Sequence, residues 1–171
     1  SFYQWYFSEY CGKDNMVIGG FGEEYKLQIM LHLNPYMLNI RGTQILTPYI
    51  VGVATAPEAR GQHLFRPLLE TAFEVLRSQE FPFALLMPIN AGIYLPYEFS
   101  FCYYRHKYDM PLAELKVAEE GSALRVERTS LNKEVLALLY QECTKTWNGV
   151  PVRTDFQWNK LLKVHAMENV Q

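Results

Sequence analysis

The chain has 171 residues, with 16 Lys and Arg against 18 Asp and Glu, a formal charge of −2 and 49% apolar residues. This composition excludes a wholly disordered chain, and the balanced charge argues against a basic nucleic-acid binder. The length suffices for one good core, or for one core with an appendage.

The opening segment, Phe2 to Tyr10, carries Phe2, Trp5, Tyr6 and Phe7 and predicts a short helix. It has neither the basic start nor the apolar run of a signal peptide. No stretch reaches the length needed to span a bilayer. Cys11, Cys102 and Cys143 show no CxxC spacing. A reducing compartment, the cytoplasm, is therefore the expected setting.

Asp14-Asn15 reads as a turn and Met16 to Phe21 as a strand. Lys26 to Leu33 reads as a second strand, broken at Asn34-Pro35 and resumed over Tyr36 to Ile40. Arg41-Gly42 is a hairpin signal. Thr47 to Ala56, rich in β-branched and aromatic residues, predicts a central strand. The period then changes. Leu64, Phe65, Leu68, Leu69, Ala72, Phe73 and Leu76 recur every three to four residues and share one helical face. Phe83 to Met87 reads as a short buried strand, Asn90 to Tyr97 as a short helix, and Phe99 to Tyr104 as a further strand. Strand, helix, strand in this order predicts a parallel pair flanking the long helix. The fold class is α/β (α+β), a mixed, mostly antiparallel sheet with a central βαβ unit.

The texture changes after Pro111. Leu115 to Ala118 and Ala123 to Arg128 are weak strand candidates. Leu131 to Cys143 predicts an amphipathic helix with Leu131, Val135, Leu138 and Leu139 on one face, capped by Ser130 or Thr129. Asn148-Gly149 is a turn, and Thr154-Asp155 precedes a second helical run.

The most informative segment is VGVATAPEARGQHLFRPLL, Val51 to Leu69. A strand ends, a turn follows, and a helix opens. Such a junction aims backbone N–H groups at one spot and can hold a phosphate or pyrophosphate. An ordinary strand-turn-helix crossover is the alternative. There is no Walker A sequence and no GxGxxG.

This segment resembles the acetyl-CoA-binding motif of the GCN5-related N-acetyltransferase (GNAT) superfamily: a strand, then Arg or Gln-x-x-Gly-x-Gly or Ala, then a helix. VATAPEARGQHLFRPLLE and NAGIYLPYEFSF together resemble the enhanced-intracellular-survival (Eis)-like branch. The resemblance implies a GNAT acyl-CoA N-acyltransferase fold lacking its opening strand and helix. It places a first acetyltransferase domain at 1–110 and the start of a second GNAT-like domain at 111–171. The implied activity is transfer of an acetyl group from acetyl-CoA to a primary amine, on a small molecule or a protein lysine. A non-catalytic CoA-binding module is the alternative. Neither nucleic acid nor membrane is an expected partner, and homo-oligomers through absent domains remain open.

Residue by residue, Arg60 matches the first motif position, and Gly61 and Gln62 fill the variable places. His63 stands where the first glycine is expected, Leu64 follows, and Phe65 takes the second small position. Val53, Ala54 and Thr55 match the strand that pairs with pantetheine, and Asn90 is assigned to the cofactor side. Tyr94 matches the tyrosine that protonates the departing thiolate. Glu98 takes a glycine position in the Tyr-x-x-aromatic-Gly-aromatic pattern. Trp5 and Tyr6 match the acceptor-pocket lining, where an aromatic wall suits cations; simple packing of the helix on the sheet is the alternative. Glu23, Glu24, Asp109 and His32 are candidates for the base, as is a water relay. No His or Cys spacing suggests a metal.

Overall fold

A computed structural model describes residues 2–13, 15–104, 106–111, 130 and 132–168. The described residues of 1–87 and 132–171 form one compact unit, and those of 88–131 form another.

In the larger unit, helix α1 (Phe2–Trp5) widens into a π turn over Tyr6–Tyr10. Strand β1 (Met16–Phe21) follows, then β2 (Leu27–Ile40) and β3 (Thr43–Thr55), paired antiparallel in the order β1-β2-β3. Helix α2 (Phe65–Ser78) crosses to β4 (Leu85–Leu86), which lies parallel to β3. The βαβ unit and the mixed sheet are therefore as expected.

Between β2 and β3 the chain turns at Arg41 (φ 50) and Gly42 (φ 83). Two successive left-handed residues match the twist of the flanking strands in a tight hairpin. Arg41 N also donates to Asn148 Oδ1 at 2.9 Å.

Asn34-Pro35 does not break β2, contrary to the sequence reading. The carbonyls of Met37 and Asn39 accept from Val152 N (2.7 Å) and Gly149 N (2.9 Å) on the edge away from β3. By the two-residue alternation, the Pro35 nitrogen points to that same edge. There the β1 ladder begins only at Leu33, and β5 (Val150–Pro151) pairs with Leu38 and Asn39. Pro35 thus removes no bond from the β2–β3 ladder, where it faces Pro48.

The core follows from the two periodicities. Ile29, Leu31 and Leu33 are buried and share one face of β2. Leu68, Leu69, Ala72 and Leu76 are the buried stripe of α2, which packs on β1 and β2. His32 and Asn34, on the opposite face of β2, are buried as well.

Helix α3 (Lys133–Thr144) starts two residues later than expected. Its cap is Asn132, whose side chain accepts from Val135 N at 2.9 Å, rather than Ser130 or Thr129. Val135, Leu138 and Leu139 are exposed. Helix α4 (Asp155–Glu168) opens with a reciprocal cap. Thr154 N donates to Gln157 Oε1 (3.0 Å), and Gln157 N donates to Thr154 Oγ1 (3.4 Å).

In the smaller unit, the helix expected over Asn90 to Tyr97 is two short 3-10 turns, Ala91–Ile93 and Leu95–Tyr97. Phe99 to Tyr104 is not a strand. A strand needs a neighbour for its N–H and C=O groups, and none pairs with this stretch among the described residues. Phe101, Tyr103 and Tyr104 are exposed. The strand candidates at 115–118 and 123–128 lie outside the described residues.

Candidate functional site

The site is best built outward from Gly52. Met30 pairs with Ala54 and His32 with Val51, so Gly52 and Val53 together oppose the single residue Leu31. This is a β-bulge, and Gly52 provides its left-handed residue with φ +59. A Cβ on Gly52 would lie 3.1 Å from His32 Cδ2. The left-handed backbone therefore favours glycine here, and a side chain would crowd the imidazole beside it.

Beyond the bulge, one edge of β3 has no strand paired to it among the described residues. Among the described residues, β4 pairs only with Tyr49 and Ile50. Ala56 N donates to Gln28 O on the β2 side at 2.8 Å. The alternation then directs the main-chain groups of Val53 and Thr55 away from β2, toward the open edge. An extended amide-bearing ligand could pair there as an additional strand would.

The chain leaves this edge through a 3-10 turn, Pro57–Ala59, and a loop to α2. Glu58 pairs with Lys26, whose ammonium holds the carboxyl below its usual range. Gln62 Nε2 donates to Glu58 O at 3.1 Å, tying the loop back on itself. Arg60, Gly61, Gln62 and His63 are exposed, while Leu64 and Phe65 are partly covered. Gly61 has φ +78 and open space where a Cβ would project. His63 has φ +56. The glycine expected at this position thus answers a left-handed backbone, which histidine adopts at a cost of roughly 1 kcal/mol. Leu64, at the cap position of α2, makes no side-chain cap hydrogen bond. The positive end of the helix dipole therefore carries no carboxylate or hydroxyl cap.

Trp5 and Tyr6 part company. Trp5 stacks on Tyr10 (6.3 Å between centroids, 20° between planes). The ammonium groups of Lys163 and Lys160 lie over Trp5 and Tyr10, at 5.6 and 3.4 Å from the ring centroids. Tyr6 turns its hydroxyl to His32 Nδ1 at 2.9 Å. Asn15 Nδ2 donates to Tyr6 Oη (3.0 Å) and to Asn34 Oδ1 (2.9 Å). Cys11 Sγ lies 4.0 Å from His32 Nδ1. Burial lowers the proton affinity of His32 and raises the pKa of the Tyr6 phenol. Asn15 and Asn34 carried no signal in the sequence reading. The trace that existed is the alternation in β2, where polar His32 and Asn34 interleave with Leu31 and Leu33.

Tyr94 and Asn90 belong to the smaller unit. Asn90 Oδ1 accepts from Gly92 N at 2.9 Å and caps the first short turn. Tyr94 joins the two turns, and its ring meets Phe99 edge-on at 5.8 Å. Burial raises its phenol pKa, so the hydroxyl stays protonated at neutral pH. Glu98 has φ +66, again a left-handed residue where glycine was expected. Asp109 is exposed, and so are Glu23 and Glu24.

The family pattern described as Acetyltransferase (GNAT) domain matches residues 2–102, which takes in the bulge, the open edge, the loop and Tyr94. The chain belongs to the GNAT acetyltransferase family. Among solved structures, this GNAT chain is similar to a conserved protein of unknown function from Enterococcus faecalis V583, described as a probable N-acyltransferase. Identity there is 23%, the TM-score is 0.47, and the match covers 49% of this chain and 21% of that one. The matched region thus spans about a fifth of the Enterococcus protein. A Trypanosoma brucei acetyltransferase is similar at 17% identity and TM-score 0.47, over 57% of this chain and 70% of that one. An aminoglycoside acetyltransferase from an uncultured soil metagenomic sample matches at 15% identity and TM-score 0.42, over 58% and 67%. No curated protein matches the sequence. No helix among the described residues is long and apolar enough to cross a membrane.

Proposed function

We propose that this GNAT chain transfers an acetyl group from acetyl-CoA to a primary amine, and that it belongs to the Eis-like branch, with a second GNAT-like domain beginning at 111. The observation that carries the reading is the open edge of β3 beyond the Gly52 bulge, continuous with the Arg60–Phe65 loop and the start of α2. Main-chain groups of Val53 and Thr55 pair with the pantetheine amides and polarise the thioester carbonyl as charge develops on it. Arg60, the loop N–H groups and the α2 dipole hold the pyrophosphate. Tyr94 gives its proton to the departing thiolate.

A CoA-binding module without turnover is the second reading. It is favoured by the strained, exposed His63, whose side chain stands where glycine would leave room for the pyrophosphate. Free-thiol release by the full-length protein, measured with acetyl-CoA and a panel of polyamines, aminoglycosides and lysine peptides, separates the two. The transferase reading expects amine-dependent thiol release. Binding of acetyl-CoA with no thiol release from any amine overturns it in favour of the module.

A further inference from the structure

A neutral amine attacking a thioester must shed a proton, and among the described residues no carboxylate hydrogen-bonds within the polar cluster beside Gly52. What the cluster holds is a phenol on an imidazole. We propose that Tyr6 and His32 form a proton relay for the acceptor amine, with Tyr6 Oη taking the amine proton as Tyr6 passes its own to His32 Nδ1. The proposal rests on the acetyl-transfer reading and names the group that serves it as base.

Three observations converge on this assignment. First, the shortest contacts in the cluster, taken with the donor inventory, favour one set of hydrogen-bond directions. An amide nitrogen only donates, and Asn15 Nδ2 lies closer to Asn34 Oδ1 (2.9 Å) and Tyr6 Oη (3.0 Å) than to His32 Nδ1 (3.3 Å), so its two hydrogens go to the first two. The phenol has two acceptors in reach, Asn34 Oδ1 at 3.5 Å and His32 Nδ1 at 2.9 Å, and in the tautomer that leaves Nδ1 unprotonated it donates to the nearer imidazole. Asn15 and Asn34 act as positioning residues. Second, His32 is 2% exposed and burial disfavours its charged form, so the ring is a neutral acceptor at neutral pH. Burial likewise keeps the Tyr6 phenol protonated until a base draws on it. Third, the relay borders the reaction site. Gly52, the bulge residue from which the open β3 edge departs, lies against the His32 ring, and any side chain there would cover it.

The groups facing His32 are few. Tyr6 and Phe7 come from the N-terminal segment, Cys11 and Asn15 from the turn after it, and Gly52 from β3. Asn34 neighbours Tyr6, and Tyr36 acts on it electrostatically. Among the described residues, the titratable groups that hydrogen-bond to the ring are Tyr6 and Cys11. In the transfer step the new C–N bond forms and the C–S bond breaks. The amine proton passes to Tyr6 and the Tyr6 proton to His32, while the thiolate takes its proton from Tyr94. The imidazolium then returns its proton to water by the same path, and the Tyr94 phenolate takes one back from water, which restores both groups. An acceptor arriving as ammonium first gives one proton to water.

The sign of the pH dependence follows. The imidazole accepts only when neutral, so the rate falls as pH drops through its lowered pKa. Tyr6→Phe keeps the ring and removes the relay atom, and His32→Gln removes the acceptor. In the full-length protein, each is expected to lower kcat by about a hundredfold. The low-pH limb set by His32 is lost, and the acetyl-CoA affinity is unchanged. Imidazole 15N spectra give an independent readout that needs no turnover. Wild-type Nδ1 is expected as an unprotonated hydrogen-bonded acceptor, and Tyr6→Phe shifts it. A Tyr6→Phe enzyme with wild-type kcat and an unchanged low-pH limb overturns the relay while leaving acetyl transfer standing. A wild-type protein that releases no thiol with any amine overturns both.

Discussion

Replacing Tyr94 with Phe is expected to lower kcat for amine acetylation by about a hundredfold, the usual scale for losing a positioned proton donor. The affinity for acetyl-CoA and the melting temperature should not change. The substitution keeps the ring that meets Phe99 edge-on at 5.8 Å, so the packing of the two short turns survives. What it removes is the hydroxyl. Burial holds the phenol pKa above its ordinary value, so the group is a neutral donor throughout the physiological range. A thiolate leaving a collapsing tetrahedral intermediate needs such a donor. Steady-state kinetics paired with a binding titration check the split between kcat and affinity. A Tyr94→Phe enzyme with undiminished kcat would remove Tyr94 from the chemistry.

Gly52→Val is expected to cost about 3 kcal/mol of stability, combining the left-handed backbone with overpacking. The φ of +59 is poorly accessible to a β-branched residue, and a Cβ would stand 3.1 Å from His32 Cδ2. His32 cannot easily withdraw, because it is buried and its Nδ1 is engaged by Tyr6. For a chain of this length the loss corresponds to roughly 9 °C in Tm, read by thermal unfolding followed by circular dichroism. A variant melting with wild type would mean that the bulge can straighten. The open β3 edge would then not be fixed by Gly52.

The glycine and the tyrosine illustrate what could be read from the sequence. The α2 stripe, the Arg41-Gly42 turn and the βαβ order were legible because each is local: a 3.6-residue period, a dipeptide, a succession of elements. The left-handed backbone at His63 and Glu98 has its trace only in the motif, which has glycine at both positions. Asn34-Pro35 misled because the cost of a proline in a strand depends on which edge its nitrogen faces. That is decided by β1 and β5, the latter more than a hundred residues further along the chain. Phe99 to Tyr104 misled for the converse reason: an apolar aromatic run has strand propensity, but it joins no ladder among the described residues. The Tyr6–His32 contact joins residues 26 apart, and only the pairing of β1 with β2 brings Asn15 to it. The resemblance places Tyr6 in the acceptor-pocket lining; that its hydroxyl meets the imidazole is visible only in the folded chain.

The central claim is that the β3 edge, the Arg60–Phe65 loop and the start of α2 hold acetyl-CoA. Calorimetric titration of the full-length protein with acetyl-CoA tests it most directly. The expected result is saturable one-site binding with a Kd on the order of 10 µM, within the ordinary range for enzyme substrates. A titration with no saturable heat up to millimolar acetyl-CoA would contradict it.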